Sequence, residues 1–163
     1  MLALAAMALA IPLHFEPNQG RSDAQVRYTA VTNGYTLELS DTAIAVHSGS
    51  GSVALNLPRT KPAGVHELAA KSNYYVGADP SRWRAGIPNF ARVLYRNVFR
   101  GVDLAVYGNG QQIEYDWIVA PGADPRSIRF SFTGASKMRV DPEGDLILAT
   151  EGGEVRHTRP RIT

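Results

Sequence analysis

Three carboxylates, Asp103, Glu114 and Asp116, are the side chains whose types and spacing best suit chemistry in this chain. They fall within two runs of alternating apolar and polar residues, 102–107 and 112–119. Paired carboxylates serve as acid and base in glycoside hydrolysis, and they are also the hard oxygen ligands that calcium prefers. A glycosidase-like enzyme, a calcium site and a purely structural cluster are therefore the three alternatives.

An ion-pair network with arginine is the interpretation that we favour for these carboxylates. Arg92 and Arg96 occupy polar positions of the preceding segment, which is expected to form the neighbouring strand. Guanidinium groups bind carboxylates in charge-assisted pairs, and such a network needs no metal. We therefore predict no metal, no cofactor, no catalytic residue and no enzymatic activity for this chain.

A β-hairpin must position the carboxylates, and its turn is predicted at Asn109-Gly110. This dipeptide favours a two-residue type I′ turn, in which both positions have positive φ. Counting back from the turn places Asp103 directly opposite Asp116, and alternation of side chains along each strand then gives an apolar and a polar face. The apolar face, where Tyr115 and Trp117 are expected to be buried, holds Val102, Leu104, Val106, Ile113, Tyr115, Trp117 and Val119.

A second candidate site is Trp83, which lies between Arg82 and Arg84 in a segment typical of a loop. Carbohydrate-binding modules stack sugar rings on exposed tryptophan, and ligand sites in general combine apolar surface with a few polar groups. The alternative, which we favour, is that Trp83 folds back as a lid on the sandwich.

Composition excludes several other kinds of site. The chain has 163 residues, no cysteine and a net charge of +2, and its basic residues are scattered. Thiolate chemistry is therefore impossible, and nucleic-acid binding, which needs clustered basic residues, is not expected. The histidines, His14, His47, His66 and His157, are too far apart in sequence for a local zinc motif.

The pattern along the chain predicts an all-β fold, mainly an antiparallel β-sandwich of roughly ten short strands with one or two single-turn helices. A second hairpin turn is predicted at Asn33-Gly34. Asp79-Pro80 and Asp124-Pro125 each have an N-cap residue followed by proline, which is typical of a helix start. Residues 58–70, which contain two prolines and a glycine, are predicted to be an exposed loop.

The chain is divided into an apolar N-terminal segment, 1–13, and a single β domain, 14–163. The first segment is too short to span a bilayer. It has the small apolar residues of a secretory signal, with Ala-x-Ala triplets before residue 11. A remnant of a signal peptide is the favoured interpretation, and an alanine-rich helix packed on the domain is the alternative.

Several ordered segments of the β domain resemble the N-terminal domain of bacterial SBBP (seven-bladed β-propeller) repeat proteins. These segments are 14–26 (HFEPNQGRSDAQV), 71–83 (KSNYYVGADPSRW), 93–107 (VLYRNVFRGVDLAVY), 113–125 (IEYDWIVAPGADP) and 144–160. The resemblance implies the leading module of an exported, cell-surface or extracellular multidomain protein. It also implies partners among the other domains of the same polypeptide, or a surface glycan or protein, and no enzymatic activity.

From the residues and the resemblance together, we expect a non-catalytic structural or interaction module. A carbohydrate-binding module that uses Trp83 and a glycosidase-like enzyme that uses the carboxylates of the 102–119 hairpin are the alternatives.

Overall fold

The computed structural model describes residues 13–32, 34–49, 51–110 and 112–161. Within these residues the chain forms thirteen strands and two single-turn 3-10 helices. The strands are β1 (Glu16–Pro17), β2 (Val26–Val31), β3 (Tyr35–Ser40), β4 (Ala43–Ser48), β5 (Gly51–Asn56), β6 (Pro62–Tyr74), β7 (Arg84–Phe99), β8 (Val102–Asn109), β9 (Gln112–Val119), β10 (Ser131–Thr133), β11 (Lys137–Val140), β12 (Leu146–Thr150) and β13 (Gly153–His157). The predicted all-β fold is confirmed, although there are more strands than expected and two of them are long.

The strands form three antiparallel sheets. The first has the order β1-β2-β3-β4-β5-β10, the second the order β6-β7-β8-β9 and the third the order β11-β12-β13. Most neighbours in a sheet are also neighbours in sequence, as in a meander. The exception is β10, which returns to pair with β5.

The first two sheets enclose one hydrophobic core, which makes them the two layers of a sandwich. Leu37 and Leu39 of β3 are fully buried, as are Tyr95 of β7 and Leu104 of β8, and all belong to the same cluster. The Tyr95 hydroxyl crosses the core and donates to the Ser40 carbonyl oxygen at 3.0 Å. Burial thus holds the sheets together, and this hydrogen bond satisfies the polar end of the largest core side chain.

The two predicted helix starts are confirmed. Pro80–Arg82 and Pro125–Ser127 are single 3-10 turns, and the N-caps are Asp79 and Asp124. Each aspartate accepts a hydrogen bond from the backbone N–H two residues later. Because proline has no N–H, it fits the first position of each turn, where no acceptor is available.

The prediction of an exposed loop over residues 58–70 is wrong. Most of this segment belongs to β6, which is 13 residues long and pairs with β7 from Pro62 to Tyr74. Pro62 is the first residue of the strand, where a missing N–H is tolerated. Gly64 lies against the ring of Phe90, so its lack of a side chain allows the strand to approach. His66 has a φ of 56° next to the point where the register shifts, and this irregularity hides the strand pattern from the sequence.

The predicted register of the central hairpin is wrong by two residues. Asn109 pairs with Gln112, and Asp103 lies opposite Ile118 instead of Asp116. Asn109 ends β8, so the turn begins one residue later than expected, with Gly110 at φ 62°. A shift of two residues leaves each side chain on its predicted face, because side chains alternate with a period of two.

Tyr115 and Trp117, predicted to be buried, are half-buried. They lie where the sandwich meets the third sheet, and Trp117 stacks on Phe130 with ring centroids 6.2 Å apart. Tyr115 contacts the His157 ring of β13 at 5.5 Å between centroids. The core face of β9 is thus covered by short segments from the C-terminal part of the chain.

Asn33 of the predicted Asn33-Gly34 turn and residues 1–12 of the predicted apolar segment lie outside the described residues. The described part of the chain contains no helix with the length and apolarity needed to cross a bilayer.

Candidate functional site

The predicted carboxylate and arginine cluster on the central hairpin divides into two separate groups. In the first group, Asp103 accepts a hydrogen bond from the backbone N–H of Asn97 at 2.7 Å. The Arg96 guanidinium lies 3.9 Å from the other oxygen of Asp103. Asn97 has a φ of 53°, a conformation that few side chains adopt. Asp103 therefore stabilises an unusual backbone position near the end of β7.

The second group surrounds Tyr107. Glu114 lies opposite Tyr107 and accepts a hydrogen bond from the Asn109 amide at 2.8 Å. The Arg92 guanidinium lies 4.7 Å from the centroid of the Tyr107 ring. Partial burial, together with the nearby charge of Asp116 and Glu114, raises the pKa of the Tyr107 hydroxyl. Arg92 thus contacts the ring of Tyr107 in this second group. Arg96 lies near Asp103 in the first group.

Trp83 and Tyr75 form an exposed aromatic pair in the connection between β6 and β7. The side chain of Trp83 is 40% exposed and that of Tyr75 is 63% exposed. Their rings meet edge to face, with centroids 5.4 Å apart. The indole N–H donates to the Gly77 carbonyl oxygen at 3.1 Å, which fixes the orientation of the ring. Trp83 thus folds back onto Gly77 and Tyr75, and the exposed part of this pair is available to a ligand.

A surface depression of about 360 Å³ is lined by residues adjacent in sequence to this aromatic pair, whereas neither ring lines it. It is lined by Gln19, Gly20, Arg21, Tyr74, Val76, Ser81, Arg82 and Arg84. Tyr74 and Val76 flank Tyr75 in sequence, and Arg82 and Arg84 flank Trp83. The depression thus shares two chain segments with the aromatic pair, and residues 19–21 form its third segment.

A buried carboxylate, Glu16, is the centre of a hydrogen-bonded cluster that shares Arg21 and Tyr74 with the depression. Glu16 is only 7% exposed. Its oxygens accept hydrogen bonds from the Tyr74 hydroxyl at 2.8 and 2.9 Å and from the Ser72 hydroxyl. Arg21 donates to it at 3.0 Å, and Nε2 of His14 lies 3.4 Å from it.

The environment of Glu16 keeps it ionised. Burial alone would raise its pKa, but hydrogen bonds from Ser72, Tyr74 and His14 and the charge of Arg21 outweigh burial. The pKa of Glu16 is therefore below its ordinary value. Conversely, burial and the hydrogen bond to Glu16 raise the pKa of Tyr74. The cluster is thus an ion pair with hydrogen-bonded neighbours.

Asn18 holds the loop that carries Arg21. Its side-chain oxygen accepts hydrogen bonds from three successive backbone N–H groups, at residues 20–22, and its amide donates to the carbonyl oxygens of Ser22, Asp23 and Val26. The loop therefore has a fixed conformation. The Arg21 guanidinium is held over the Tyr74 ring at 3.4 Å while it also binds Glu16.

A signal for the Glu16 cluster exists in the sequence but is weak. Ser72 and Tyr74 are two apart and so share one face of a strand. This signal is informative only if the segment before residue 74 is recognised as a strand. Pro58 and Pro62 predicted a loop over residues 58–70 instead.

Two of the histidines make separate side-chain contacts. His47 bridges Glu38 at 3.1 Å and Ser52 at 2.7 Å, and His157 belongs to the aromatic contact with Tyr115. Across the ranges that the structure describes, no group of three or more His, Asp or Glu side chains could hold a metal ion.

A family model described as a domain of unknown function, DUF7948, matches residues 52–162, and the chain belongs to this family. No curated protein and no solved structure matches the chain. The matched residues include Tyr74, Trp83 and the central hairpin, whereas Glu16 and Arg21 precede them.

Proposed function

We propose that this chain is a non-catalytic interaction module of an exported bacterial surface or extracellular protein. The observation that carries the proposal is the exposed Tyr75–Trp83 pair, in which two large aromatic rings contact each other at the surface. Large aromatic side chains with polar neighbours provide contact area at little entropic cost when they are already fixed. The resemblance to the leading domain of SBBP repeat proteins supports export and a place in a multidomain polypeptide.

The contacts of the carboxylates support binding over catalysis. Glu16 is committed to Arg21 and Tyr74, and Asp103 is committed to the Asn97 backbone. Asp141 accepts from two backbone N–H groups of its turn and pairs with Arg156 at 2.8 Å. Side chains that hold backbone and neighbours in this way have structural roles, and a carboxylate pair on one cleft would be needed for glycoside hydrolysis.

Carbohydrate binding is the more specific candidate for this module. Sugar rings present C–H surfaces that fit against aromatic faces, while their hydroxyl groups need donors and acceptors at the rim. The Tyr75–Trp83 pair offers the aromatic surface. Ser81, Arg82 and Arg84 offer polar groups on the same chain segment as Trp83.

A glycan microarray tests this function. The wild-type module, Trp83→Ala and Val31→Ala would be labelled and compared; Val31 is exposed on β2 and serves as the matched control. We expect wild type and Val31→Ala to bind the same glycans and Trp83→Ala to lose that binding. We also expect bound oligosaccharides to be recovered intact. Cleavage of a bound oligosaccharide would contradict the non-catalytic assignment, and binding that survives in Trp83→Ala would contradict the role of the aromatic pair.

A further inference from the structure

We infer that the depression lined by Arg21, Arg82 and Arg84 binds the carboxylate of an acidic saccharide, such as a uronic acid unit. This inference rests on the carbohydrate-binding form of the proposed function. The groups that would meet the carboxylate are the guanidinium groups of Arg21, Arg82 and Arg84.

Two of these guanidinium groups are already fixed. Arg21 is held by Glu16 and by the Tyr74 ring. Arg84 uses one nitrogen, Nη1, to donate to the carbonyl oxygens of Ser81 and Trp83 at 3.1 and 3.0 Å. A guanidinium has five N–H donors, so each arginine keeps donors for a ligand. Groups that are fixed before binding lose little entropy when the ligand arrives.

Arg82 is the third cationic group at the depression. Within the described residues, no acceptor lies at hydrogen-bond distance from its guanidinium, and the side chain is exposed. It belongs to the 3-10 turn that Asp79 caps, so its backbone is held while its side chain can reach a ligand. Removal of the Arg82 side chain should therefore weaken ligand binding without changing the stability of the fold.

The charges around the depression favour an anion. Arg82 and Arg84 line it and form no salt bridge within the described residues, whereas the charge of Arg21 is already paired with Glu16. Guanidinium groups bind carboxylates with two parallel hydrogen bonds, and this geometry gives specificity as well as attraction. A neutral sugar would leave the excess positive charge without a partner.

Titration calorimetry with matched oligosaccharides tests the inference. The probes are oligogalacturonate, oligomannuronate and methyl-esterified oligogalacturonate, which keeps the sugar but lacks the charge. Single-stranded oligonucleotide serves as a polyanion without a sugar acid. We expect at least one of the two acidic oligosaccharides to bind at least tenfold more tightly than the methyl ester and than the oligonucleotide.

Variants locate the binding within the molecule. Arg82→Ala should weaken binding of the acidic oligosaccharide at least fivefold with an unchanged melting temperature. Arg100→Ala, which removes the same charge at the exposed turn between β7 and β8, should leave binding unchanged. Equal weakening by both variants, or equal binding of the oligonucleotide, would reduce the effect to general charge attraction and overturn the inference.

The remaining outcomes separate the inference from the proposed function. Equal affinity for the methyl ester, lost in Trp83→Ala, would retain carbohydrate binding and overturn the carboxylate assignment. Failure of both acidic oligosaccharides and of the ester to bind would overturn the inference, and the microarray would then decide the proposed function alone.

Discussion

The hydroxyl of Tyr115 is hydrogen-bonded to Nε2 of His157, and the two residues belong to different sheets. Trp117, Phe130 and Phe132 surround this contact with edge-to-face and stacked rings. The aromatic cluster therefore joins the four-stranded sheet to the C-terminal three-stranded sheet. Much of the attachment of the third sheet should depend on it.

Acid should weaken this attachment. Burial lowers the pKa of His157 in the folded protein, while the unfolded chain takes up the proton at about 6.5. The neutral ring therefore contributes stability that is fully present above pH 6.5 and is lost as pH falls from 6.5 through the folded pKa. Urea unfolding at a series of pH values should show this loss. His157→Gln should flatten it, and an equal slope in the variant would assign the effect to another group.

Removal of Glu16 should destabilise the domain by about 2–3 kcal/mol, because Tyr74 and Ser72 would lose a charged hydrogen-bond partner in a buried place. Glu16→Ala can be compared with Arg21→Ala in urea unfolding. Arg21 is more exposed, so its loss should cost less. A smaller effect of Glu16→Ala than of Arg21→Ala would show that the ion pair, and not the buried hydrogen bonds, dominates.

Gly64→Ala should destabilise the sandwich by about 1–3 kcal/mol, the usual cost of overpacking. A Cβ at Gly64 would lie 2.6 Å from the ring of Phe90. The matched control is Gly49→Ala, because no atom lies within 4 Å of a Cβ there. Thermal melting of both variants makes the comparison, and equal midpoints would indicate that Phe90 moves away without cost.

Trp117→Ala should cost about 3 kcal/mol, at the lower end of the range for a large aromatic core residue, because the side chain is half-buried. Val31→Ala, at an exposed position, should cost less than about 0.5 kcal/mol. Both values come from chemical denaturation. A value for Trp117→Ala close to that of the control would mean that the aromatic cluster contributes little.

Calcium should not stabilise the domain. The observed register places Asp116 opposite Ala105, so the hairpin does not gather the oxygen ligands that calcium needs. Melting with EDTA and then with millimolar calcium should give equal midpoints. A binding site that is saturated 100-fold would add about 2.7 kcal/mol, and a rise of that size, abolished by Asp116→Asn, would contradict the prediction.

The two faces of the central hairpin could be predicted from sequence, but its register could not. Alternation assigns Leu104 and Trp117 to one face whatever even shift occurs. Asn-Gly is a favoured two-residue turn, so the sequence places the turn at Asn109-Gly110. In the structure Asn109 is instead the last residue of β8, and the turn begins one residue later. Glycine at 110 supplies the positive φ in either case, so the dipeptide does not fix the register.

The candidate site could be predicted only in part for a similar reason. Trp83 and its flanking arginines were found because they adjoin one another in sequence. Glu16 and Tyr74 are 58 residues apart, and only the pairing of whole strands brings them together. Contacts of that range depend on tertiary packing, which local patterns do not encode.

The return of β10 to β5 has a consequence for synthesis and folding. Asn56 and Ser131 are 75 residues apart, whereas β2 to β5 follow one another through short turns. Pairings that close long loops form late, because the chain entropy must be lost before the contact is gained. A nascent chain that has not yet reached residue 131 would therefore expose the open edge of β5, and such edges readily pair with other chains. The three residues of β10 thus protect the growing sheet from aggregation once they are added.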